Sequence, residues 1–180
     1  MKYFLAIIGG GPAGYTAAEI ASKAGKDVVI FEQTALGGTC LNVGCIPTKT
    51  LLYSAKQYYN ATHADKYGVK AEGVSFDYAK IVQRKMKVVR KLVAGIKQKL
   101  NNEHCTVIMG AASVVSRTDE NVVIACGEEQ YEAENLLICT GSNNFVPPIP
   151  GVKDNPAIWD STMALDSKEL PVSMIIVGGG

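Results

Sequence analysis

Short apolar runs flank a segment of helical spacing at the start of the chain. Residues 4–8 form an apolar, partly β-branched run, which is typical of a buried parallel strand. Pro12 suits the first turn of a helix, and Gly25 is a plausible stop for it. Residues 27–31, of which all but Asp27 are apolar, form the second predicted strand. The pattern therefore predicts a strand, a helix and a parallel strand within the first 31 residues.

The middle of the chain changes from helical to strand periodicity. Residues 50–59 predict a helix, and residues 76–102 predict a long amphipathic helix whose Lys and Arg residues face solvent opposite an apolar stripe. Beyond it, five short strands are predicted, of which the middle three form an antiparallel meander and the last is central and parallel. A short helix is predicted near residues 161–165. The five strands are residues 106–109, 112–115, 122–125, 130–133 and 136–139.

An internal repeat suggests how the chain is divided. Residues 174–180 repeat the apolar run and three glycines of residues 5–11. We therefore expect a nucleotide-binding domain at 1–150, a connection at 151–171, and the first strand and glycine turn of a truncated second domain at 172–180. The fold class predicted is α/β, a Rossmann-like domain with a central parallel sheet and a small antiparallel meander.

Composition and charge exclude several classes of protein. Hydrophobic residues make up 47% and charged residues 19% of the 180 residues, and the net charge is +1. These values predict a globular protein and indicate neither a nucleic-acid surface nor a membrane surface. No apolar run approaches the roughly 20 residues of a membrane helix, and the first run is too short for an export signal. We therefore expect a cytoplasmic, reducing setting. In such a setting the five cysteines are not expected to form a structural disulfide scaffold.

The first glycines match a phosphate-binding turn. Gly9, Gly11 and Gly14 have the G-x-G-x-x-G spacing between a predicted strand and a predicted helix. Such glycines permit a tight turn, close approach of a pyrophosphate and close packing of helix on strand. Glu32 ends the second predicted strand, where a carboxylate accepts hydrogen bonds from an adenosine ribose. A glycine-rich turn beside an unrelated surface acid is the alternative.

Two cysteines lie in a second glycine-rich run, residues 37–49. Cys40 and Cys45 do not form a zinc motif, and neither His63 nor His104 has ligand-like spacing, so no metal site is predicted. A disulfide across so short a loop stabilises little, and strained or exposed disulfides tend to be catalytic. The alternative is two buried free thiols, which is the prediction for the three other cysteines: Cys105, Cys126 and Cys139.

At these residues the chain resembles the pyridine nucleotide–disulfide oxidoreductases. The similarity covers all 180 residues and rests on both glycine runs, Glu32, the Thr140 to Ser142 run and residues 148–151. It implies that residues 1–150 bind FAD. Cys45 would be the charge-transfer thiol beside the flavin, Cys40 the thiol that exchanges with substrate, and Lys49 a cation near the flavin ring. The other implied FAD contacts are Gly9, Gly11, Pro12, Ala13, Gly14, Glu32, Gly38, Thr39, Gly110, Ala111, Thr140, Gly141 and Ser142.

Within the family, residues 37–49 resemble the dihydrolipoamide dehydrogenases more than the glutathione or mercuric reductases. The residues that carry this resemblance are Leu41, Ile46, Thr48 and Lys49. That resemblance implies oxidation of dihydrolipoamide, free or on lipoyl domains of 2-oxoacid dehydrogenase or glycine-cleavage complexes, by a homodimer that passes electrons to NAD. The family's catalytic histidine lies in a later domain, so we expect no NAD-linked turnover from these residues alone. Another flavin disulfide reductase, a non-catalytic FAD module and a plain NAD-binding domain stay open as alternatives.

Overall fold

The computed structural model describes residues 2–178, which form one six-stranded sheet with helices. The strands lie in the order β3-β2-β1-β6-β5-β4. Strands β3, β2, β1 and β6 are parallel, and β6, β5 and β4 are antiparallel. The α/β class, the parallel centre and the meander are therefore confirmed. The strands are β1 Lys2–Ile8, β2 Val28–Glu32, β3 Cys105–Met109, β4 Ala112–Arg117, β5 Val122–Cys126 and β6 Glu129–Ile138.

The predicted strand–helix–strand unit is present. Helix α1, Pro12–Lys23, connects β1 to β2, and the two strands pair in parallel with Leu5 opposite Val28 and Ile8 opposite Phe31. Gly25 follows the helix with φ +73°, a conformation that glycine adopts without strain. The other helices are α2 Gly38–Val43, α3 Cys45–Thr62, a 3₁₀ turn Asp65–Tyr67, α4 Tyr78–Leu100 and α5 Ser161–Asp166.

One strand replaces two predicted ones. Residues 130–133 and 136–139 were predicted as separate strands, and both belong to β6, which runs from Glu129 to Ile138. Residues 129–133 of β6 pair with β5, and residues 132–138 pair with β1. Ala133 is therefore paired on both sides. Glu134 and Asn135, which lie between the two predicted strands, are exposed, and the Asn135 side chain donates to the Phe4 carbonyl at 3.0 Å. Two polar side chains on a solvated stretch therefore do not end a strand that has partners on both sides.

Each face of the sheet has its own core. On one face α1 and α4 pack through Ala18, Ile96 and Leu100 against Ile7 and Ile30, all of them buried. On the other face residues of β5 and β6 pack over β1 and β2, and the rings of Phe31 and Tyr131 lie 5.1 Å apart. The meander therefore covers the face that carries no helix.

Helix α4 departs from its predicted pattern at one residue. Val82 and Ile96 are buried as expected, but Lys85 is buried too, although the basic residues were predicted to face solvent. Its ammonium donates to the Leu165 carbonyl at 2.5 Å and lies 3.7 Å from the Asp166 carboxylate. Helix α5 therefore covers Lys85, because a buried ammonium requires acceptors that replace water.

The C-terminal segment differs from its prediction. Residues 174–177 form no strand, and their apolar side chains are exposed, with Ile175 at 91%. A strand requires a neighbour for its backbone groups, and within residues 2–178 none pairs with this segment. The last two glycines of the predicted turn lie outside the described residues, and the division at 150 and 171 stays a prediction.

Candidate functional site

A cleft of about 850 Å³ lies where the parallel strands end. The carboxyl ends of β1, β2, β3 and β6 all open into it, which is where α/β sheets of this type bind ligands. It brings together all but two of the predicted site residues. Those that line it are Gly9, Gly11, Pro12, Ala13, Glu32, Gly38, Thr39, Cys40, Cys45, Gly110, Ala111, Thr140, Gly141 and Ser142.

The glycine turn is fixed by contacts between backbone atoms. A Cβ on Gly9, whose φ is +108°, would lie 2.2 Å from the carbonyl oxygen of Cys139. A Cβ on Gly14 would lie 1.8 Å from the carbonyl oxygen of Gly9. Gly14 is buried and does not line the cleft, so its role is to let α1 approach the turn rather than to contact a ligand. The first turn of α1 faces the cleft with amides for which a helix provides no acceptor.

The second glycine run packs directly on the first. Gly38 begins α2 with φ +55°, and a Cβ on it would lie 2.7 Å from the Cα of Gly11. Asn42, one turn later, donates through Nδ2 to the carbonyls of Gly38 at 2.9 Å and Leu36 at 3.2 Å. The run of residues 37–49 therefore packs on the first glycine turn through direct contact between backbone atoms.

Glu32 has a carboxylate held by four hydrogen bonds. Oε2 accepts from the Gly10 amide at 2.7 Å, and Oε1 accepts from the Thr34 amide at 2.8 Å, the Thr34 hydroxyl at 2.9 Å and the Ala35 amide at 3.3 Å. Burial alone would raise the pKa of Glu32, but these donors outweigh it and hold the pKa below its usual value. The side chain is therefore an ionised acceptor at neutral pH.

Cys40 and Cys45 lie side by side on the cleft wall. Cys40 is in α2 and half-buried, whereas Cys45 is the first residue of α3 and exposed. Gly44 joins the two helices, and a Cβ on it would lie 2.8 Å from the Thr39 carbonyl oxygen. A hydrogen bond to Cys45, together with burial, raises the pKa of Cys40. All five cysteines in the described chain are free thiols, so this arrangement is a dithiol and no disulfide is present.

Two predicted site residues do not line the cleft, Gly14 and Lys49. Lys49 is exposed on α3, one turn after Cys45, and its charge lowers the pKa of Cys40 slightly against the effect of Cys45. His63 stacks on Tyr59, and His104 lies 2.9 Å from the Asp27 carboxylate, so both histidines are away from the thiols.

Sequence reasoning missed several residues that build the site. Gly10 is buried beneath Glu32, and a Cβ on it would lie 2.7 Å from Leu36 and 3.1 Å from the Glu32 carboxylate. Thr34, Ala35 and Asn42 line the cleft and supply the hydrogen bonds described above. A hydroxyl two residues after an acid is a local signal for such a bond and could have identified Thr34.

The described residues provide neither a metal site nor a membrane-spanning helix. Within residues 2–178 no group of three or more His, Cys, Asp or Glu side chains is placed to hold a metal ion. None of the described helices has both the length and the apolar character needed to cross a membrane.

The sequence is similar to members of a known family. The profile of the family described as pyridine nucleotide-disulphide oxidoreductase matches residues 3–180. Dihydrolipoyl dehydrogenases of Bacillus subtilis (strain 168) and Geobacillus stearothermophilus are 43% and 39% identical to the chain over 98% and 97% of its length. The chain spans 39% and 37% of those relatives, so it corresponds to less than half of each.

Solved structures agree with the fold. The Cu(II) complex of the HOCl-induced flavoprotein disulfide reductase RclA from Escherichia coli superposes with a TM-score of 0.74 at 36% identity, covering 95% of this chain and 36% of that one. LpdA from Mycobacterium tuberculosis has a TM-score of 0.80 at 23% identity, over 93% of this chain and 38% of that one, which supports the fold alone. The match of the family profile and the identity to its members together establish that the chain belongs to the pyridine nucleotide–disulphide oxidoreductases.

Proposed function

We propose that the chain is the FAD-binding, thiol-bearing part of an enzyme that oxidises dihydrolipoamide to lipoamide and passes the electrons to NAD. The observation that carries the proposal is the position of Cys40 and Cys45 on the wall of the same cleft that contains the glycine turn and Glu32. The names of the relatives supply the substrate, and the description of the family supplies the pyridine nucleotide.

Membership of this family implies FAD, and the residues fit that cofactor. Gly9, Gly14 and Gly38 let the backbone segments around the turn approach each other more closely than a Cβ would permit, which gives the turn the shape that a pyrophosphate requires. The first-turn amides of α1 suit a pyrophosphate, the Glu32 carboxylate suits a ribose, and Gly110 and Ala111 line the cleft beside Glu32 for the adenine. When bound, FAD would supply the acceptor that takes two electrons from the Cys40–Cys45 dithiol.

The thiols account for the chemistry that the chain itself performs. In the oxidised form of the pair, a substrate thiolate attacks the Cys40 sulfur, the bond between Cys40 and Cys45 breaks, and Cys45 leaves as a thiolate. The second substrate thiol loses its proton and attacks the substrate sulfur of the mixed disulfide, which releases Cys40 and the lipoamide disulfide. The two electrons then reside on the Cys40–Cys45 dithiol.

The proposal extends to the setting of the whole protein. Its partners would be dihydrolipoamide and lipoyl domains, its assembly a homodimer, and its location the reducing cytoplasm, with which five free cysteines are compatible. NAD-linked turnover is proposed for the complete enzyme rather than for these residues alone. Lipoamide-dependent NADH formation by the purified chain would contradict that last point.

A flavin spectrum tests the proposal directly. FAD is added to the purified chain, the excess is removed, and the visible spectrum is recorded before and after anaerobic addition of dihydrolipoamide. We expect retained flavin and a long-wavelength charge-transfer band that Cys45→Ser abolishes and Cys105→Ser, outside the cleft, leaves intact. Retained flavin without the band would remove the redox role from Cys40 and Cys45 and favour a non-catalytic FAD module.

A second candidate is a flavin disulfide reductase with another substrate. It is supported by the 36% identity and TM-score of 0.74 to RclA, an HOCl-induced flavoprotein disulfide reductase. The two candidates share the cleft and the thiols and differ in the disulfide that exchanges with Cys40. Exchange rates of the oxidised chain with dihydrolipoamide, glutathione and a protein dithiol would separate them.

A further inference from the structure

The two oxygens of the Glu32 carboxylate accept unequal numbers of hydrogen bonds. Oε1 accepts three hydrogen bonds, two from Thr34 and one from Ala35, whereas Oε2 accepts one, from the Gly10 amide, among the described residues. A carboxylate has about two acceptor sites on each oxygen. Oε1 is therefore saturated, and the remaining capacity of the carboxylate is on Oε2.

Three of those four donors are backbone amides, and their positions follow from the turns that contain them. The Thr34 hydroxyl is the one side-chain donor, and it lies 2.9 Å from Oε1 on a residue that is itself exposed. Removing this hydroxyl therefore removes one hydrogen bond to the carboxylate and leaves the buried core unchanged.

We propose that Thr34 is a positioning residue for the cofactor's ribose: its hydroxyl holds Oε1 so that Oε2 stays available to accept from a ribose hydroxyl in the cleft. The inference rests on the proposed function, because it assumes that the cleft binds the adenosine half of FAD. It assigns Thr34 no contact with the cofactor itself.

The test compares Thr34→Val, which keeps the shape and loses the donor, with Thr34→Ser, which keeps the donor. FAD affinity is measured by calorimetry, and ADP and 2′,3′-dideoxyadenosine diphosphate serve as probes with and without ribose hydroxyls. We expect Thr34→Val to weaken FAD and ADP about tenfold, Thr34→Ser to change them less than about twofold, and dideoxy-ADP to bind all three proteins equally.

Three other outcomes would contradict either the positioning role of Thr34 or the proposed function. Equal FAD affinity in Thr34→Val and the unmodified chain would overturn the positioning role. Equal weakening of ADP and dideoxy-ADP would overturn it too, since Thr34 would then shape the loop rather than the carboxylate. Absence of any FAD or ADP binding to the unmodified chain would instead overturn the proposed function, and the inference with it.

Discussion

The two ends of the cleft are built in different ways. At one end, called the nucleotide end and lined by Gly9 and Glu32, the backbone of Gly9 packs against Gly14 outside the cleft, and the buried carboxylate of Glu32 has four donors. At the other end, called the thiol end and lined by Cys40 and Cys45, Cys45 and the neighbouring Lys49 are exposed and Cys40 is half-buried. Backbone packing suits a ligand that stays bound, and accessible side chains suit a partner that exchanges. The predictions below test this difference.

The largest effect is expected at Gly14. In Gly14→Ala the new methyl group would lie 1.8 Å from the Gly9 carbonyl oxygen, and neither backbone segment can move aside cheaply. We expect a loss of about 3 kcal/mol or more in the free energy of unfolding, together with loss of FAD binding. Urea denaturation and flavin retention measure the two.

Gly95→Ala is the matched control, because Gly95 is also within a helix and an added Cβ would meet nothing within 4 Å. Here alanine should stabilise by about 0.5–1 kcal/mol through its higher helix propensity. If both substitutions changed stability by the same sign and amount, the close backbone contact at the nucleotide end would not be the cause.

The next effect concerns Glu32. Its folded pKa lies below the unfolded value, so the ionised side chain stabilises the fold above the unfolded pKa, and this contribution is lost as the pH falls through the folded pKa. Glu32→Gln should therefore cost about 1–3 kcal/mol at pH 7 and progressively less at acid pH. Denaturation of Glu32→Gln and of the unmodified chain, at a series of pH values from 7 into the acid range, measures how the cost changes. An equal cost of Glu32→Gln at all pH values, or an equal effect of the exposed Glu120→Gln, would contradict the assignment.

The nucleotide end was also the more predictable one from sequence. Gly9 and Gly14 have a fixed spacing because a turn between a strand and a helix has few possible geometries, and Glu32 ends the strand that follows that helix. Gly9 and Glu32 line the cleft, whereas Gly14 is buried against Gly9. The continuous β6 and the buried Lys85 could not be read from local pattern, because both depend on partners distant in sequence. The hydrogen bond from Thr34 is local, but its importance emerges only when the burial of Glu32 is known.

At the thiol end a smaller, kinetic effect is expected. The hydrogen bond to Cys45 is the largest cause of the raised pKa of Cys40. Cys45→Ala should lower that pKa, so Cys40 should alkylate with iodoacetamide several-fold faster near pH 8, because the thiolate is the reactive form. Mass spectrometry of the Cys40 peptide measures the rate. Cys105→Ala, a change in β3, is the control and should leave the rate unaltered. If Cys40 reacted no faster in Cys45→Ala than in the unmodified chain, Cys45 would not be the cause of the raised pKa of Cys40.

The smallest effect belongs to Lys49, because its charge is exposed and acts on Cys40 through solvent. Lys49→Met should raise the pKa of Cys40 and slow its alkylation slightly at low salt, whereas Lys49→Arg should preserve the rate. At about 1 M salt, where charges are screened beyond roughly 3 Å, the unmodified chain and Lys49→Met should react alike. Lys56→Met, farther along the same exposed helix, is the control. A difference that persisted at high salt would mean that Lys49 contacts the thiols directly, and the thiol end would then be as closely built as the nucleotide end.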